Sequence, residues 1–217
     1  MSAGAAVSGG GGSPVPTGNT YDKYGSGNPV VRRLMGGFER DLDDLFGQAA
    51  PKSVLDVGCG EGVLTERWAR RLSSDEGPSR VVGIDLEDPK LRADWEKRRA
   101  ANLEFRAMEV ERLQFADGEF DLVAATEVLE HVADPERALA EMTRVASRFL
   151  LVSVPQEPLW RALNMARGAY LSRLGNTPGH VNHWTRPGFA RLLARYGAIV
   201  ETRSPFPWTM LLVSVPR

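Results

Sequence analysis

The sequence predicts an α/β domain on a doubly wound, mostly parallel, seven-stranded sheet. From Pro51 onward, apolar runs rich in β-forming residues alternate with helical segments, which is the pattern of a parallel sheet covered on both faces. Two last runs, Ala198–Arg203 and Thr209–Val215, flank the turn-like SPFPW and predict an antiparallel C-terminal hairpin that closes the sheet. The length of 217 residues fits one such domain.

The other elements follow in chain order, each bounded by a turn or a helix signal. Pro135 can begin a helix because its missing N–H has no partner there, and Gly197 can end one. The predicted strands before the hairpin are Ser53–Gly58, Arg80–Asp85, Leu103–Met108, Phe120–Ala125 and Phe149–Pro155. Helices are predicted over Val63–Leu72, through Trp95 and Arg99, over Pro135–Ala146 and over Pro187–Tyr196.

Three segments stand outside this alternation. Residues 1–18, rich in Gly, Ser, Ala and Pro, are predicted to be a disordered tail because they bury too little apolar surface. Residues 19–50 are predicted to form a helical cap, with one or two amphipathic helices over Tyr21–Phe46, before a domain over 51–217. Glu157–Trp184 is a predicted insertion. An apolar stripe in this insertion predicts a helix, which covers the pocket as a lid or, alternatively, lies on a membrane surface. The stripe consists of Leu159, Leu163, Ala166, Tyr170 and Leu174.

Composition excludes several classes of protein. The formal net charge of -1 argues against nucleic-acid binding, which needs a basic surface. The sequence predicts neither a signal peptide nor an integral membrane segment, because apolar runs of sufficient length are missing. The single cysteine, Cys59, excludes an internal disulfide and a multi-cysteine metal site. We therefore expect a cytoplasmic monomer or homodimer, with peripheral membrane contact left open.

The most informative stretch is VLDVGCGEG, from Val54 to Gly62, in which an apolar strand opens into a turn with alternating glycines. Glycine lets the backbone turn tightly and approach a ligand closely. Asp56 ends up at the carboxyl edge of the sheet, where open α/β sheets bind ligands. Asp85, which ends VVGID, is placed to accept hydrogen bonds from both hydroxyls of a ribose. The plainer alternatives are a strand–turn–helix without a ligand and an aspartate that only caps a helix.

The spacing of the glycines distinguishes between two cofactor classes. Dinucleotide enzymes have Gly-x-Gly-x-x-Gly, whereas Gly58, Gly60 and Gly62 alternate and Val63 follows them. Asp56 would repel a pyrophosphate, but it would attract an amino or sulfonium cation. The pattern therefore favours S-adenosylmethionine over a dinucleotide.

Together with VVGIDLE, EVERLQFADGEFD and ATEVLEHVADPERALAEMTRV, this stretch resembles the class I S-adenosylmethionine-dependent methyltransferases. The likeness is greatest to the small-molecule group that includes the ubiquinone/menaquinone-biosynthesis type, and it covers about Ser53–Val154 plus the closing hairpin. The resemblance implies a Rossmann-like methyltransferase fold with S-adenosyl-L-methionine as methyl donor. It also implies methyl transfer to an oxygen or nitrogen of a small-molecule acceptor, such as a metabolite, a quinone or an anionic lipid-linked precursor.

The resemblance also implies roles for individual residues. Asp56 and the three glycines would line the methionine moiety and the adenosine edge, Asp85 would bind the ribose, and Leu86 would pack on the adenine. Glu109, followed by Val110, stands where the family usually has an aspartate for the adenine amino group. Glu127 would lie near the methionine and the acceptor. The implied cofactor-binding residues are Asp56, Gly58, Cys59, Gly60, Gly62, Asp85, Leu86, Glu109, Val110 and Glu127.

Three histidines are candidates for acceptor-side chemistry. A base is needed only if the acceptor must lose a proton, and histidine suits that task with an ordinary pKa of about 6.5. His131 lies in VLEHV, and His180 and His183 lie in GNTPGHVNHW, which has the glycines and proline of a shaped binding loop. The sequence shows no carboxylate beside His180 and His183, so we predict no metal site. A purely structural role is the alternative for each histidine.

Two other functions compete with small-molecule methylation. One is a catalytically silent, methyltransferase-like protein that binds the cofactor and regulates a partner, although such a protein would not need the intact glycine turn and its acidic residues. The other is a protein or RNA methyltransferase. The near-neutral charge argues against RNA, and Ala124-Ala125-Thr126-Glu127 stands in place of an Asn-Pro-Pro-Tyr-like acceptor motif.

Overall fold

A computed structural model describes residues 29–73 and 77–216, so the predicted disordered tail and the start of the helical cap lie outside the described residues. The strands within this part of the chain are β1 (Ser53–Val57), β2 (Arg80–Asp85), β3 (Leu103–Ala107), β4 (Phe120–Thr126), β5 (Ala146–Pro155), β6 (Ala198–Arg203) and β7 (Trp208–Ser214). The α-helices are α1 (Pro29–Ala49), α2 (Val63–Ser73), α3 (Pro89–Trp95), α4 (Pro135–Val145), α5 (Leu159–Ala166) and α6 (Arg186–Leu193), and a 3₁₀ turn covers Leu171–Arg173.

The strands form one sheet in the order β3-β2-β1-β4-β5-β7-β6. Strands β1 to β5 are parallel, and β7 inserts antiparallel between β5 and β6. The predicted doubly wound sheet with its closing hairpin is thus confirmed. The chain order reverses between β1 and β4, and the carboxyl ends of strands at such a point are where ligands of open α/β sheets bind.

Helices cover both faces of the sheet, which is why the central strands are apolar throughout. Helices α1 and α2 pack on one face, where the buried rings of Phe46 and Trp68 stack with centroids 5.0 Å apart. Helices α4 and α6 cover the other face through Met142 and Phe189. The central strand β4 is buried from Leu122 to Ala125 between these two layers.

Helix ends differ from the prediction by up to four residues, and short turns account for the differences. Helix α3 stops at Trp95 instead of reaching Arg99, because Lys97 and Arg98 close tighter turns onto the Asp94 and Trp95 carbonyls. Helix α6 stops at Leu193 instead of Tyr196. Element ends are weakly encoded because fraying and tertiary contacts decide them.

The single helix predicted from the apolar stripe of the insertion is wrong. Helix α5 ends at Ala166, and Gly168 follows it with a left-handed backbone (φ 73°), the usual signal that stops a helix. Tyr170 and Leu174 lie beyond this stop, both with left-handed backbones and exposed side chains. The stripe is therefore divided between a short helix and a 3₁₀ turn.

None of the helices in the described ranges is both long and apolar enough to cross a bilayer.

Candidate functional site

A cavity of about 1610 Å³ lies at the carboxyl ends of β1, β2 and β4. Its floor comes from the glycine turn after β1 and from the residues that follow β2, β3 and β4. Its walls come from α1, from the insertion after β5 and from the turn between β6 and β7. Pockets for a single small molecule usually occupy roughly 300–1,000 Å³, so this volume can hold a cofactor and an acceptor together.

The glycine turn is shaped by two separate constraints. Gly58, Gly60 and Gly62 all have left-handed backbones, with φ of 66°, 52° and 76°. A Cβ on Gly58 would lie 2.4 Å from Val128 Cγ2, and one on Gly62 would lie 2.5 Å from Phe105 Cζ. Both the backbone conformation and the packing therefore require glycine at these two positions.

Asp56 is buried at the floor of the cavity with 1% of its surface exposed. Burial raises the pKa of its carboxyl group to about 7, partly opposed by the hydrogen bond that Thr65 Oγ1 donates at 2.6 Å, and the nearby Asp85 carboxylate raises the pKa further. A carboxylate that is costly to ionise in the free protein is stabilised by a cation beside it. The floor is therefore suited to a positively charged ligand group.

Asp85 ties β2 to the glycine turn. Its Oδ2 accepts a hydrogen bond from Gly60 N at 2.7 Å, and its Oδ1 accepts one from Leu86 N at 2.7 Å. Burial raises the pKa of this carboxyl group, and the two backbone bonds oppose the change. A carboxylate has about four acceptor positions, so Asp85 retains the capacity to bind two further hydroxyl groups.

The other residues of the predicted cofactor set line the same cavity: Cys59, Leu86, Glu109, Val110 and Glu127. Glu109 is exposed, whereas Val110 is buried. Burial raises the pKa of the Cys59 thiol well above its ordinary value, so Cys59 is a poor nucleophile and contributes its backbone to the turn.

The structure pairs His180 with His131, not with His183. The His131 and His180 ring centroids are 4.8 Å apart and nearly perpendicular, and both residues line the cavity. His183 is exposed, is not among the cavity-lining residues, and has its Nε2 2.7 Å from Asn176 Oδ1. The structure therefore does not bring His183 to the predicted acceptor site.

The tautomer of neutral His131 follows from its contact with the insertion. Its Nδ1 lies 3.0 Å from the Gly179 carbonyl oxygen, which can only accept a hydrogen bond. Nδ1 therefore carries the hydrogen, and Nε2 carries the lone pair. This is the protonation pattern that a general base needs.

The expectation that no carboxylate lies beside these histidines is wrong for His180. Glu130, His131 and His180 each offer a ligand atom, and these atoms lie within 4.8 Å of one another. One carboxylate and two imidazoles form a ligand set that suits zinc and other transition metals. The sequence hid the cluster because Glu130 and His180 are fifty positions apart and meet only through the folded insertion.

The insertion is anchored to this cluster by several hydrogen bonds. Val181 N and Asn182 N both donate to the Glu130 carbonyl, and Asn182 Nδ2 donates to the carbonyls of Leu129 and Val132 at 3.0 and 2.6 Å. The segment 179–182 and the turn after β4 consequently form one unit.

The far wall of the cavity is aromatic, and sequence reasoning missed much of it. Trp208 packs edge-on against Phe38 of α1, with ring centroids 5.0 Å apart, and at a tilt of 50° against Trp160 of α5, with ring centroids 5.8 Å apart. Phe206 also lines the cavity and is 51% exposed. Phe206 and Trp208 belong to SPFPW, for which the sequence predicts only a turn between the last two strands. Two aromatic residues in a turn at the carboxyl edge of the sheet were the available signal.

Comparison with known proteins agrees with this geometry. Residues 55–148, which contain the glycine turn, Asp85 and the turn after β4, match the family model described as a methyltransferase domain. This segment is a class I S-adenosylmethionine-dependent methyltransferase domain.

Relatives of the methyltransferase domain carry a more specific description. The chain is 42% identical over 98 residues to a ubiquinone biosynthesis O-methyltransferase of Acinetobacter baylyi, across 43% of this chain and 39% of the relative. It is 31% identical over 157 residues to the protein of the same description from Methylococcus capsulatus, across 64% of this chain and 63% of the relative. The chain thus spans less than two thirds of either relative.

Solved structures support the fold. Magnesium protoporphyrin IX methyltransferase from Synechocystis, solved with bound SAH, superposes with a TM-score of 0.62 at 18% identity, over 89% of this chain and 91% of that one. At 18% identity this similarity shows the fold alone.

Proposed function

We propose that the protein transfers the methyl group of S-adenosylmethionine to a hydroxyl oxygen of a small, largely apolar acceptor, with His131 as the base. The observation that carries this proposal is one continuous cavity that contains a cofactor-type floor, an aromatic wall and a histidine with Nε2 as its acceptor nitrogen. Methylation of a nitrogen is the close alternative.

The floor of the cavity fits the cofactor by its chemistry. Asp56 offers a buried carboxylate to a cationic group, and Asp85 offers acceptor positions to the ribose hydroxyls. A Cβ on Gly58 or Gly62 would collide with Val128 or Phe105, so these positions require glycine for the turn to keep its shape at the floor of the cavity. Leu86 and Val110 add apolar surface suited to a nucleobase.

When bound, S-adenosylmethionine supplies an electrophilic methyl group on a positively charged sulfur. The protein's part is to align the acceptor with that methyl group, and such alignment can supply roughly 7–11 kcal/mol of the barrier. His131 Nε2 accepts the hydroxyl proton of the acceptor, which leaves the oxygen electron pair available for the new bond. The Gly179 carbonyl holds Nδ1–H and so stabilises the imidazolium that results.

The wall of the cavity supports an acceptor with an aromatic or otherwise apolar body. Trp160, Trp208, Phe38 and Met35 enclose that part of the space, and aromatic walls contribute much of the binding energy of apolar ligands. The relatives named above, described as ubiquinone biosynthesis O-methyltransferases, agree with a hydroxylated acceptor of this type. We further propose a cytoplasmic enzyme that uses no nucleic acid.

The test is turnover with a graded set of acceptors. The protein is incubated with S-adenosylmethionine and a catechol ring bearing a short apolar chain, and mass spectrometry follows adenosylhomocysteine and a product heavier by one methylene. Phenol and aniline counterparts of this acceptor distinguish methylation of oxygen from methylation of nitrogen. Counterparts whose ring lacks the apolar chain show whether that chain matters for turnover.

Asp85→Ala should weaken adenosylhomocysteine binding by roughly 10- to 100-fold, because hydrogen bonds to a charged group contribute about 1.5–3 kcal/mol. Asp117→Ala is the matched control, since Asp117 is 83% exposed and pairs with Arg144 away from the cavity. Absence of adenosylhomocysteine binding by the wild type would refute the proposal. Binding without turnover of any acceptor would favour the catalytically silent alternative.

A further inference from the structure

Trp208 connects the acceptor wall with the cofactor side of the cavity. It is the first residue of β7, is 4% exposed, and pairs with Pro155 of β5. Its ring system packs against Phe38 of α1 and Trp160 of α5. Both of these residues belong to the wall that we assign to the acceptor.

The indole N–H of Trp208 serves a different partner. Nε1 donates a hydrogen bond to Glu127 Oε2 at 2.6 Å, and Ser153 Oγ donates to Glu127 Oε1 at 3.3 Å. The indole nitrogen is a donor only, so Glu127 Oε2 accepts this bond. Trp208 therefore fixes the orientation of the Glu127 carboxylate.

The backbone of Glu127 is also held in place by its surroundings. Its backbone is left-handed (φ 61°), which is uncommon for a residue other than glycine and persists only when the surroundings enforce it. Its N–H donates to the Ser153 carbonyl at 3.1 Å. The next residue, Val128, packs against Gly58, and Glu127 lines the same cavity as the glycine turn.

We infer that Trp208 is a positioning residue that orients the Glu127 carboxylate to receive the charged amino group of the cofactor. Because the ring of Trp208 also packs on α1 and α5, the orientation of Glu127 depends on the packing of the acceptor wall. This inference rests on the proposed function, since it presupposes that the floor binds the cofactor.

The test compares two ligands that differ in one part. Adenosylhomocysteine carries the amino-acid group, whereas 5′-methylthioadenosine lacks it. Trp208→Phe keeps an aromatic ring and removes the donor, so affinity for adenosylhomocysteine should fall roughly tenfold, as expected for a lost hydrogen bond to a charged group. Affinity for 5′-methylthioadenosine should stay within about twofold. A merely structural role of Trp208 would change both affinities together.

The matched control is Trp184→Phe, the same change at a tryptophan that does not line the cavity and that packs against Phe189. It should leave both affinities unchanged. Should Trp208→Phe fold poorly, site-specific replacement of Trp208 by its benzothiophene isostere removes only the N–H and should give the same selective loss. The double variant Trp208→Phe/Glu127→Ala should bind adenosylhomocysteine no more weakly than Glu127→Ala alone.

An equal loss for both ligands, no loss for either, or additive effects in the double variant would each overturn the role of Trp208. Failure of the proposed function is distinguishable, because the wild type would then bind neither ligand or would bind them without turning over any acceptor.

Discussion

The two halves of the cavity, which we assign to the cofactor and to the acceptor, are built in different ways. The cofactor half is local: the glycine turn and Asp56 come from one stretch of nine residues, and Asp85 joins them through a hydrogen bond to Gly60. The acceptor half is assembled from α1, the turn after β4, the insertion and the β6–β7 turn. The cofactor half depends on the backbone conformation of one turn, whereas the acceptor half depends on side chains that meet across the fold. Substitutions in the two halves should therefore have different effects on cofactor affinity and on turnover.

Gly58→Val should have the largest effect and should act on the cofactor half. Valine would require a left-handed backbone and would collide with Val128, so adenosylhomocysteine affinity should fall by about 100-fold or more, given strain of roughly 1–3 kcal/mol plus the clash. Calorimetric titration measures this. Gly36→Val is the matched control, because nothing lies within 4 Å of a Cβ there, and it should retain wild-type affinity.

His131→Ala should show the opposite pattern, with turnover reduced by roughly 10²–10⁴-fold and cofactor affinity preserved, since a base acts only on the acceptor. Separate measurements of turnover and binding test this expectation. His183→Ala, at an exposed position that does not line the cavity, should retain wild-type turnover. Wild-type turnover in His131→Ala would mean that alignment alone drives the reaction.

The Glu130–His131–His180 cluster allows a second comparison of cofactor binding with turnover, this time after metal ions are removed. Because none of its members belongs to the predicted cofactor set, adenosylhomocysteine binding should survive a chelator. Turnover should survive as well if His131 acts as the base without a metal. Loss of turnover that Zn²⁺ or Mn²⁺ restores would contradict the predicted absence of a metal site.

The pH dependence of cofactor binding should show a smaller, graded effect. Burial raises the pKa of Asp56 to about 7, so below that pH the free protein holds the carboxyl group protonated. A bound cation favours the ionised form, so affinity should rise with pH by up to roughly tenfold per unit and level off above about pH 7. Asp56→Asn should flatten most of this rise, whereas an unchanged profile in that variant would place the titrating group elsewhere.

The smallest effect should be a difference in hydrogen-exchange protection between two parts of the insertion. Residues 159–174 carry exposed apolar side chains, among them Leu171 and Leu174 at 60% and 66% exposure, and they should gain protection from hydrogen exchange when ligand binds. Residues 181–182 should already be protected in the free protein, because their amides donate to the Glu130 carbonyl. Equal protection of both parts before binding would mean that the whole insertion is fixed structure and no lid.

Sequence reasoning reached most of the fold because the information is repeated locally. The alternation of strands and helices, the closing hairpin and the start of α4 at Pro135 all follow from periodicity and backbone chemistry. It failed at Gly168, where the apolar stripe continued in the sequence although the helix had ended. A lone glycine in a helical pattern is ambiguous, and tertiary contacts decide whether it stops the helix.

The sequence by itself determined the sheet and the glycine turn, since alternating glycines and strand-terminal aspartates constrain the backbone wherever they occur. Only the tertiary structure decided which side chains share the acceptor half. It placed His180 against His131 and left His183 at the surface, and it brought Trp208 to Glu127 across 81 positions. No periodicity encodes such meetings, because they depend on how the insertion and the hairpin turn pack over the edge of the sheet.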